Sequence, residues 1–296
     1  MSDLKVGVLG ASSVVGMCLL QRLRVAEAQV VAYTRRAEWL ADTKVKWQLL
    51  TPSLTTQTTS RTLEEVTPYW ICAAPIWVLP DYFSFIEASG ARRVVALSST
   101  SRFTKVGSGD TAENAVAAKL IESEARVQTW AEARGIEWVV LRPTLIYGQG
   151  RDKNISEMAR FIRRFGFFPL LGRAQGLRQP IHAKDVAAAC VAALHAPDAA
   201  NRAYNISGGE TLPYRVMVTR VFEALGRPAR LVNVPLWAFR LAVAVLHHLP
   251  RYRHWSAAMA ERMNRDLVFD HADAARDLGF KPRDFALTAE DVSRCA

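Results

Sequence analysis

Cysteine is scarce in this 296-residue sequence, which has four cysteines and no CxxC pair or other spacing typical of a metal site. Cys18, Cys72 and Cys190 each lie inside an apolar run, where small buried thiols are common. This usage excludes a small secreted domain held by disulfides and predicts structural thiols in a reducing compartment. We expect no metal site.

Long apolar runs are also missing. The first residues lack the basic segment, apolar stretch and cleavage site of a signal peptide. The most apolar window, residues 231–250, is interrupted by Asn233, Arg240, His247 and His248. It therefore cannot supply the roughly 18 consecutive apolar residues of a transmembrane helix. These absences predict a cytoplasmic protein.

Acidic side chains are few in one part of the chain. Half of all residues are apolar, which excludes a disordered chain, and 38 Lys and Arg against 28 Asp and Glu give a net charge of +10. Residues 1–150 carry 16 basic and 14 acidic groups, residues 151–265 carry 18 and 7, and residues 266–296 carry 4 and 7. The middle segment is therefore strongly basic and predicts an anionic ligand or surface.

Short apolar runs alternate with helical segments in the first half of the chain. This alternation is typical of parallel βαβ units, and it predicts an α/β fold with a doubly wound sheet and helices on both faces. The predicted strands are residues 5–9, 29–33, 45–50 (weak), 69–74, 93–97 and 136–141, and the main helices are residues 14–25 and 112–134.

Helical segments dominate the second half. We predict a dinucleotide-binding domain over residues 1–150 and a smaller, mostly helical substrate subdomain over residues 151–296, parts of which return to the sheet. The predicted helices are residues 155–165, 184–196, 213–225, 235–249, 256–265 and 273–278, with short apolar pieces at 202–206 and 267–269.

A glycine-containing turn joins the first strand to the first helix. Gly10 permits a tight turn and Gly16 permits close packing, so that the first amides of the helix face a pyrophosphate. Ser13 stands where the usual fingerprint has its middle glycine. We predict that the cofactor contacts Gly10, Ser12, Ser13, Val14, Val15 and Gly16.

The end of the second strand bears on the choice of cofactor. Arg35 and Arg36 follow that strand, and no carboxylate occurs there before Glu38. A guanidinium can pair with a 2′-phosphate, whereas a carboxylate accepts a bond from the ribose 2′-OH of NAD. The sequence therefore favours NADP, with NAD as the alternative.

Further motifs follow in a specific order along the chain. They are AAP at 73–75, SST at 98–100, LRPTLIYG at 141–148, RQPIHAKDVA at 178–187, YNISGG at 204–209 and LGFKP at 278–282. Together with the turn, they resemble the extended short-chain dehydrogenase/reductases, the nucleotide-sugar epimerase/dehydratase group. The resemblance implies a Rossmann-type domain with a small substrate domain. It also implies cofactor contacts at Ala73, Ala74, Pro75, Pro143 and Ile146.

The resemblance further implies a catalytic Tyr-x-x-x-Lys pair, which this sequence lacks. No tyrosine occurs between Tyr82 and Tyr147. Lys119 is the natural lysine, preceded by Ala115 four residues earlier. If the pair is instead aligned on Glu124, as the acidic residue that usually follows its lysine, Val116 and Leu120 occupy the Tyr and Lys positions. The predicted substitutes are Thr100, at the Ser/Thr position of the group, and Lys119, which would also hold the nicotinamide ribose.

Three functional interpretations stay open at this stage. The protein is an oxidoreductase or epimerase with substitute catalytic groups, or it binds NADP without turnover, or it has an assembly role in a larger complex. The resemblance implies a small anionic substrate such as a nucleotide-linked sugar. By motif position, the substrate would contact Asn154, Arg178, Arg262 and Arg265.

A diphosphate accounts for only part of the positive charge. Basic residues are interleaved with aromatic residues near positions 160–168 and 237–255. These segments either form an ordinary packing face with a solvated basic side or contact an anionic membrane surface. No nucleic-acid-binding motif accompanies them, so we do not expect a nucleic-acid partner.

Overall fold

The computed structural model describes residues 4–35, 39, 45–50, 66–107, 109–239 and 257–293. Its central strands are β1 Lys5–Leu9, β2 Gln29–Thr34, β3 Lys46–Leu49, β4 Tyr69–Cys72, β5 Arg93–Leu97, β6 Glu137–Pro143 and β11 Arg202–Ile206. They form a seven-stranded sheet in the order β11-β6-β5-β4-β1-β2-β3, and all of its pairs are parallel. The predicted α/β fold with a Rossmann-type sheet is confirmed.

Helices cover both faces of this sheet. The described helices are α1 Val14–Val25, α2 Phe83–Ala88, α3 Ser101–Thr104, α4 Thr111–Ala133, α5 Ile155–Phe165, α6 Ala183–His195, α7 Tyr214–Ala224, α8 Ala257–Asn264, α9 Ala272–Leu278 and α10 Ala289–Val292. The predicted first helix is confirmed over its full length, as α1.

The sheet strands are apolar on both faces because helices bury both faces. Every residue of β5 is buried, and so is most of β1, β4 and β6. Such continuously apolar strands are typical of a parallel sheet between two helical layers. One core lies where α1 and α6 pack together, and a second lies where α4 and the 3-10 turn Ile76–Tyr82 pack.

The second half of the chain contributes to the sheet and builds a separate core. β11 pairs with β6, so the chain returns to the sheet after α6. The separate core lies among α5, α7 and α8 and three two-stranded pairs. The ranges of these short strands are β7 Ile146–Tyr147, β8 Phe168–Leu171, β9 Leu177–Arg178, β10 Ile181–His182, β12 Leu212–Pro213 and β13 Leu231–Val234. β7 pairs with β10, β9 with β12 and β8 with β13.

The short apolar piece at residues 267–269 runs as irregular chain, and Leu267 and Phe269 line the cavity described below. Most of the predicted helix at 235–249 lies outside the described residues, as do Arg36, Cys295 and the basic–aromatic residues from 240 to 255. Cys18, Cys72 and Cys190 are free and buried, as predicted. Within the described residues, no helix is long and apolar enough to cross a membrane.

Candidate functional site

The glycine turn follows β1, where the strand order of the sheet reverses. β2 and β3 lie on one side of β1, and β4 and the later strands lie on the other. Gly10 adopts φ +74°, and a Cβ there would collide with the backbone of Ala74. A Cβ on Gly16 would collide with the carbonyl oxygen of Gly10. Both glycines therefore keep open a concave backbone turn at the switch point, which is where dinucleotides bind in such sheets.

Ser13 begins helix α1 and ties the turn to β4. Its hydroxyl accepts a hydrogen bond from the Gly16 N–H at 3.0 Å and donates one to the Ala73 carbonyl at 3.2 Å. A glycine at this position would make neither bond. The first turn of α1 contains no acidic side chain, so its positive end faces Ser12 and the turn without a neutralising carboxylate.

The expected cofactor residues of the neighbouring strands lie around this turn. Ala73 is buried directly after β4, Ala74 is half-buried and Pro75 is exposed at the start of the 3-10 turn. Arg35 is exposed directly after β2 and forms no described salt bridge. These residues, together with Val14 and Val15 of α1, surround a turn whose shape and charge fit a dinucleotide pyrophosphate.

A cavity of about 920 Å³ opens at the same edge of the sheet, beyond the carboxyl ends of β5 and β6. Helix α5, the β8–β13 pair and helix α8 form its other walls. Its described lining consists of Ser99, Thr100, Ser101, Thr104, Lys105, Thr144, Leu145, Ile146, Lys153, Asn154, Glu157, Met158, Phe161, Phe168, Pro169, Leu171, Arg178, Gln179, Tyr214, Val234, Ala238, Phe239, Arg262, Met263, Leu267 and Phe269.

Thr100 brings a hydroxyl to the sheet side of the cavity. The residue is buried, and its Oγ1 donates a hydrogen bond to the Pro143 carbonyl at 3.2 Å. The Thr100 N–H donates to the same oxygen at 3.1 Å. Thr100 is thus fixed by β6, and the lone pairs of its hydroxyl remain available to a ligand. Ile146 lines the cavity, whereas Pro143 is buried behind it.

Arg178 places a buried positive charge in the cavity wall. The residue is 4% exposed, and its guanidinium donates to the carbonyls of Leu177, Arg262 and Arg265. Among the described residues it forms no salt bridge. Burial lowers the pKa of Arg178 to about 10, so the guanidinium stays protonated at neutral pH. A cation held by carbonyls without a carboxylate partner favours an anionic ligand.

The other predicted substrate residues fall into two groups. Asn154 and Arg262 line the cavity, although the Arg262 guanidinium is also paired with Glu113 of α4. Arg265 is exposed and outside the lining, and it contributes only its carbonyl, which accepts from Arg178. The motif positions therefore bring Asn154, Arg178 and Arg262 to one cavity and leave the side chain of Arg265 outside it.

Tyr214, which the sequence did not single out, presents a phenol to the cavity. It begins α7 and is 9% exposed, and the Arg178 guanidinium lies 5.4 Å from its ring centroid. Its hydroxyl forms no hydrogen bond within the described part of the chain. Burial raises the pKa of Tyr214 to about 12, so the phenol is protonated at neutral pH and can donate to a ligand. Pro213 marks the start of a helix, but no sequence feature indicates that Tyr214 lies beside a cavity.

Lys119 does not reach this cavity. Helix α4 places both Lys119 and Ala115 on its exposed side, while Val116 is half-buried and Leu120 is buried. None of these four residues lines the cavity. Tyr147 is fully buried against His182 and Phe285 and also lies outside the lining. Of the predicted catalytic residues, the structure brings only Thr100 to the cavity.

A buried charge cluster holds the segment that carries Thr100. Glu124 of α4 accepts hydrogen bonds from Ser98, from Arg102 of α3 and from Arg142 of β6, the last at 2.7 Å. The Glu124 side chain is 7% exposed and both arginines are largely buried. This cluster ties the end of β5 to α3, α4 and β6. From the sequence, Glu124 helped only to align the expected Tyr-x-x-x-Lys positions, and no sequence feature indicated its two arginine partners.

Aromatic residues continue from the cavity to the protein surface. Phe161 of α5 lines the cavity, and its ring centroid is 4.6 Å from that of Phe165 and 5.8 Å from that of Phe167. Phe165 is 49% exposed and Phe167 is 36% exposed. The Arg164 guanidinium lies over the Phe165 ring at 5.2 Å. No group of His, Cys, Asp and Glu within the described ranges is arranged to hold a metal ion.

Comparison with known proteins agrees with this geometry. Residues 81–207 match the sequence model of the NAD dependent epimerase/dehydratase family. A UDP-glucose 4-epimerase of Vibrio cholerae is 26% identical over 161 residues, which are 54% of this chain and 47% of that protein. The predicted resemblance to the epimerase/dehydratase group is therefore confirmed.

Two further proteins are similar to this chain, one in structure and one in sequence. A UDP-glucose 4-epimerase of Thermus thermophilus, solved as a complex with NAD, superposes with a TM-score of 0.68 at 17% identity, and the match covers 97% of this chain and 96% of that chain. A mitochondrial NADH dehydrogenase [ubiquinone] 1 alpha subcomplex subunit 9 of Arabidopsis thaliana is 27% identical over 119 residues, 40% of this chain and 28% of that protein. The chain thus spans less than half of the length of the Vibrio and Arabidopsis relatives.

Proposed function

We propose that this protein is an NAD(P)-dependent oxidoreductase or epimerase that acts on an alcohol or carbonyl carbon of an anionic substrate. The observation that carries the proposal is the buried Arg178 cation in the same cavity as the Thr100 hydroxyl, at the sheet edge where the Gly10–Gly16 turn lies. A turn with space for a pyrophosphate, at the same sheet edge as a cavity that holds a buried cation, supports a redox cofactor and a charged substrate.

The residues present fit a dinucleotide. The turn would receive the pyrophosphate, because Gly10 and Gly16 leave the space that a Cβ would fill. We propose NADP as the preferred form, since Arg35 follows β2 and a guanidinium pairs well with a 2′-phosphate. When bound, the nicotinamide supplies hydride acceptance or donation.

The side chains of the cavity would bind and orient the substrate. Arg178 would pair with the anionic group, and the protonated Tyr214 phenol would donate a hydrogen bond beside it. The Thr100 hydroxyl donates its hydrogen bond to the Pro143 carbonyl, so its oxygen would accept a hydrogen bond from a substrate hydroxyl. A nucleotide-linked sugar is the first candidate, given the names of the epimerase relatives.

Cofactor titration tests the proposal. We expect the reduced-cofactor fluorescence to show NADPH binding at least about tenfold tighter than NADH, because a charge-assisted pair contributes roughly 1.5–3 kcal/mol. Arg35→Ala should abolish this preference, and Arg24→Ala, an exposed arginine at the end of α1, is the matched control. Absence of binding by either cofactor would contradict the proposed function; equal binding would contradict only the NADP preference.

A non-catalytic NADP-binding protein is the second candidate function. It is favoured by the absence of a phenol at positions 115 and 116 and by the exposure of Lys119. The similarity to a subunit of an NADH dehydrogenase complex is compatible with it. Spectrophotometric assays with NADPH and a panel of keto-sugar nucleotides separate the two candidates, since tight binding without any turnover identifies the second.

We also propose that the protein contacts anionic membrane surfaces peripherally. Exposed Phe165 and Phe167 next to basic Arg160 and Arg164 support this proposal, because aromatic side chains and arginines together bind the interface of anionic bilayers. Co-sedimentation with anionic and neutral vesicles tests it.

A further inference from the structure

The cavity lining combines polar and apolar side chains. Its polar groups include Arg178, Thr100 and Tyr214, together with Asn154, Glu157 and Arg262. Apolar side chains of α5, β8, α8 and the segment after β13 form its apolar wall, namely Met158, Phe161, Phe168, Leu171, Phe239 and Met263. These apolar residues belong to the core of the second lobe, so the wall is fixed by packing.

Aromatic contacts connect the apolar wall to the protein surface. Phe161 faces the cavity and contacts the exposed rings of Phe165 and Phe167. A continuous aromatic surface therefore leads from the cavity to the outside of the protein along the end of α5. Exposed apolar surface that continues into a binding cavity is typical of a site for an apolar ligand.

A hydrophilic ligand would fit this wall poorly. The hydroxyl groups of a sugar placed against Phe161, Leu171 and Phe239 would lose water without gaining hydrogen-bond partners there, which is unfavourable. An alkyl or isoprenoid chain would instead bury its surface against the wall. The Arg178 cation in the same cavity would pair with one anionic group.

We infer that the substrate is an anionic amphiphile, with its charged head at Arg178 and Tyr214 and its carbon chain along Phe161 toward the exposed rings of Phe165 and Phe167. The inference rests on the proposed function only in taking this cavity as the substrate site. It replaces the nucleotide-linked sugar by a molecule with one anionic head and an apolar chain.

Titration with alkyl phosphates of increasing chain length tests the inference. Hexyl, octyl and decyl phosphate, each below its micellar concentration, are titrated calorimetrically into the purified protein, with decanoate as a second head group and UDP-glucose as the hydrophilic comparison. We expect affinity to rise by up to about fourfold per added methylene, the increment for full burial of a CH₂ group. UDP-glucose should bind more weakly than decyl phosphate.

Variants locate the bound chain and head. Phe161→Ala should weaken decyl phosphate at least about tenfold and hexyl phosphate less, because it shortens the apolar wall. Phe83→Ala is the matched control, since Phe83 is a half-buried phenylalanine that stacks on Trp130 in the other lobe. Tyr214→Phe, which keeps the ring, should weaken all chain lengths equally. Circular dichroism establishes that each variant is folded.

The outcomes separate this inference from the proposed function. Affinity independent of chain length, an equal effect of Phe161→Ala and Phe83→Ala, or UDP-glucose binding more tightly than decyl phosphate would each overturn it. NADPH titration of the same samples reports the cofactor site independently. Chain-length-dependent binding without NADPH binding would support the amphiphile site and contradict the proposed redox function. NADPH binding without chain-length dependence would support the cofactor site and overturn the amphiphile inference.

Discussion

Arg178 and Thr100 illustrate how single residues define the candidate site. Arg178 is held by three backbone carbonyls, so its position is fixed before any ligand arrives. Thr100 is likewise held at Pro143 through both its N–H and its hydroxyl. Preorganised groups of this kind orient a ligand without reorganisation when it binds.

We expect substitutions at Thr100 and at Lys119 to have different effects on kcat. Thr100→Val should lower kcat by roughly tenfold in any reaction found for this cavity, because the variant can no longer accept a hydrogen bond from the reacting hydroxyl. Lys119→Ala should leave kcat and KM within about twofold, since Lys119 is exposed and outside the cavity lining. Steady-state kinetics with both variants check this. A large loss of kcat in Lys119→Ala alone would return the catalytic role to α4.

At the scale of secondary-structure elements, Glu124 connects two strands and two helices. Glu124→Gln would leave the largely buried Arg102 and Arg142 without a charged partner. We expect the free energy of unfolding to fall by about 3–5 kcal/mol, the typical effect of breaking a buried charge pair. Urea denaturation measures it, with Glu122→Gln as the control on the exposed side of α4. Equal losses in both variants would contradict the structural role of the cluster.

Asp291 links α10 to His182 of β10 and to Gln149 after β7, and this link is sensitive to acid. Burial disfavours its charged form, but hydrogen bonds with His182, Thr288 and the Gln149 N–H outweigh burial and hold the pKa of Asp291 well below its usual value. The unfolded-state pKa is about 3.9, so this stabilisation is complete above that pH and is lost as the pH falls toward the folded-state pKa.

Asp291→Asn tests this pH dependence. We expect the variant to be less stable than the wild type at pH 6, with a difference that shrinks at pH 3, in urea denaturation at both values. Asp273→Asn is the control, because Asp273 is exposed and pairs only with Arg276 in its own helix among the described residues. A difference that stays constant between the two pH values would show that the Asp291 carboxylate contributes through packing alone.

The bounds of helices and strands were predicted from the sequence better than the side of each helix that is buried. Helices α1 and α5 and strands β1 and β5 follow the apolar spacing closely, because local periodicity determines them. The face of α4 that meets the sheet depends on tertiary packing, and this is why Lys119, selected as the nearest lysine, is exposed. Tyr214 was missed for the same reason, since a tyrosine at a helix start gives no local sign that a cavity lies beside it.

At the scale of the whole molecule, the basic excess of residues 151–265 is partly explained by arginines that bind carbonyls. Arg163 donates to Val292, Arg227 donates to the carboxyl end of α5, and Arg178 donates to three carbonyls. Such bonds occupy part of the guanidinium donors but do not neutralise the charge. The molecule therefore keeps a positive field around this lobe, next to the exposed rings of Phe165 and Phe167.

This combination predicts binding to anionic membranes. We expect co-sedimentation with phosphatidylserine-containing vesicles at low salt, about tenfold weaker binding at high salt, where screening shortens the range of the charges, and none with neutral vesicles. The double variant Arg160→Gln/Arg164→Gln and the single variant Phe165→Ser should each reduce binding. Arg22→Gln/Arg24→Gln, on exposed positions of α1, is the matched control. Because charge and aromatic burial act together at a bilayer interface, loss in the arginine variant alone would contradict insertion of the phenylalanine rings. Binding unchanged in all variants would contradict membrane contact through this surface.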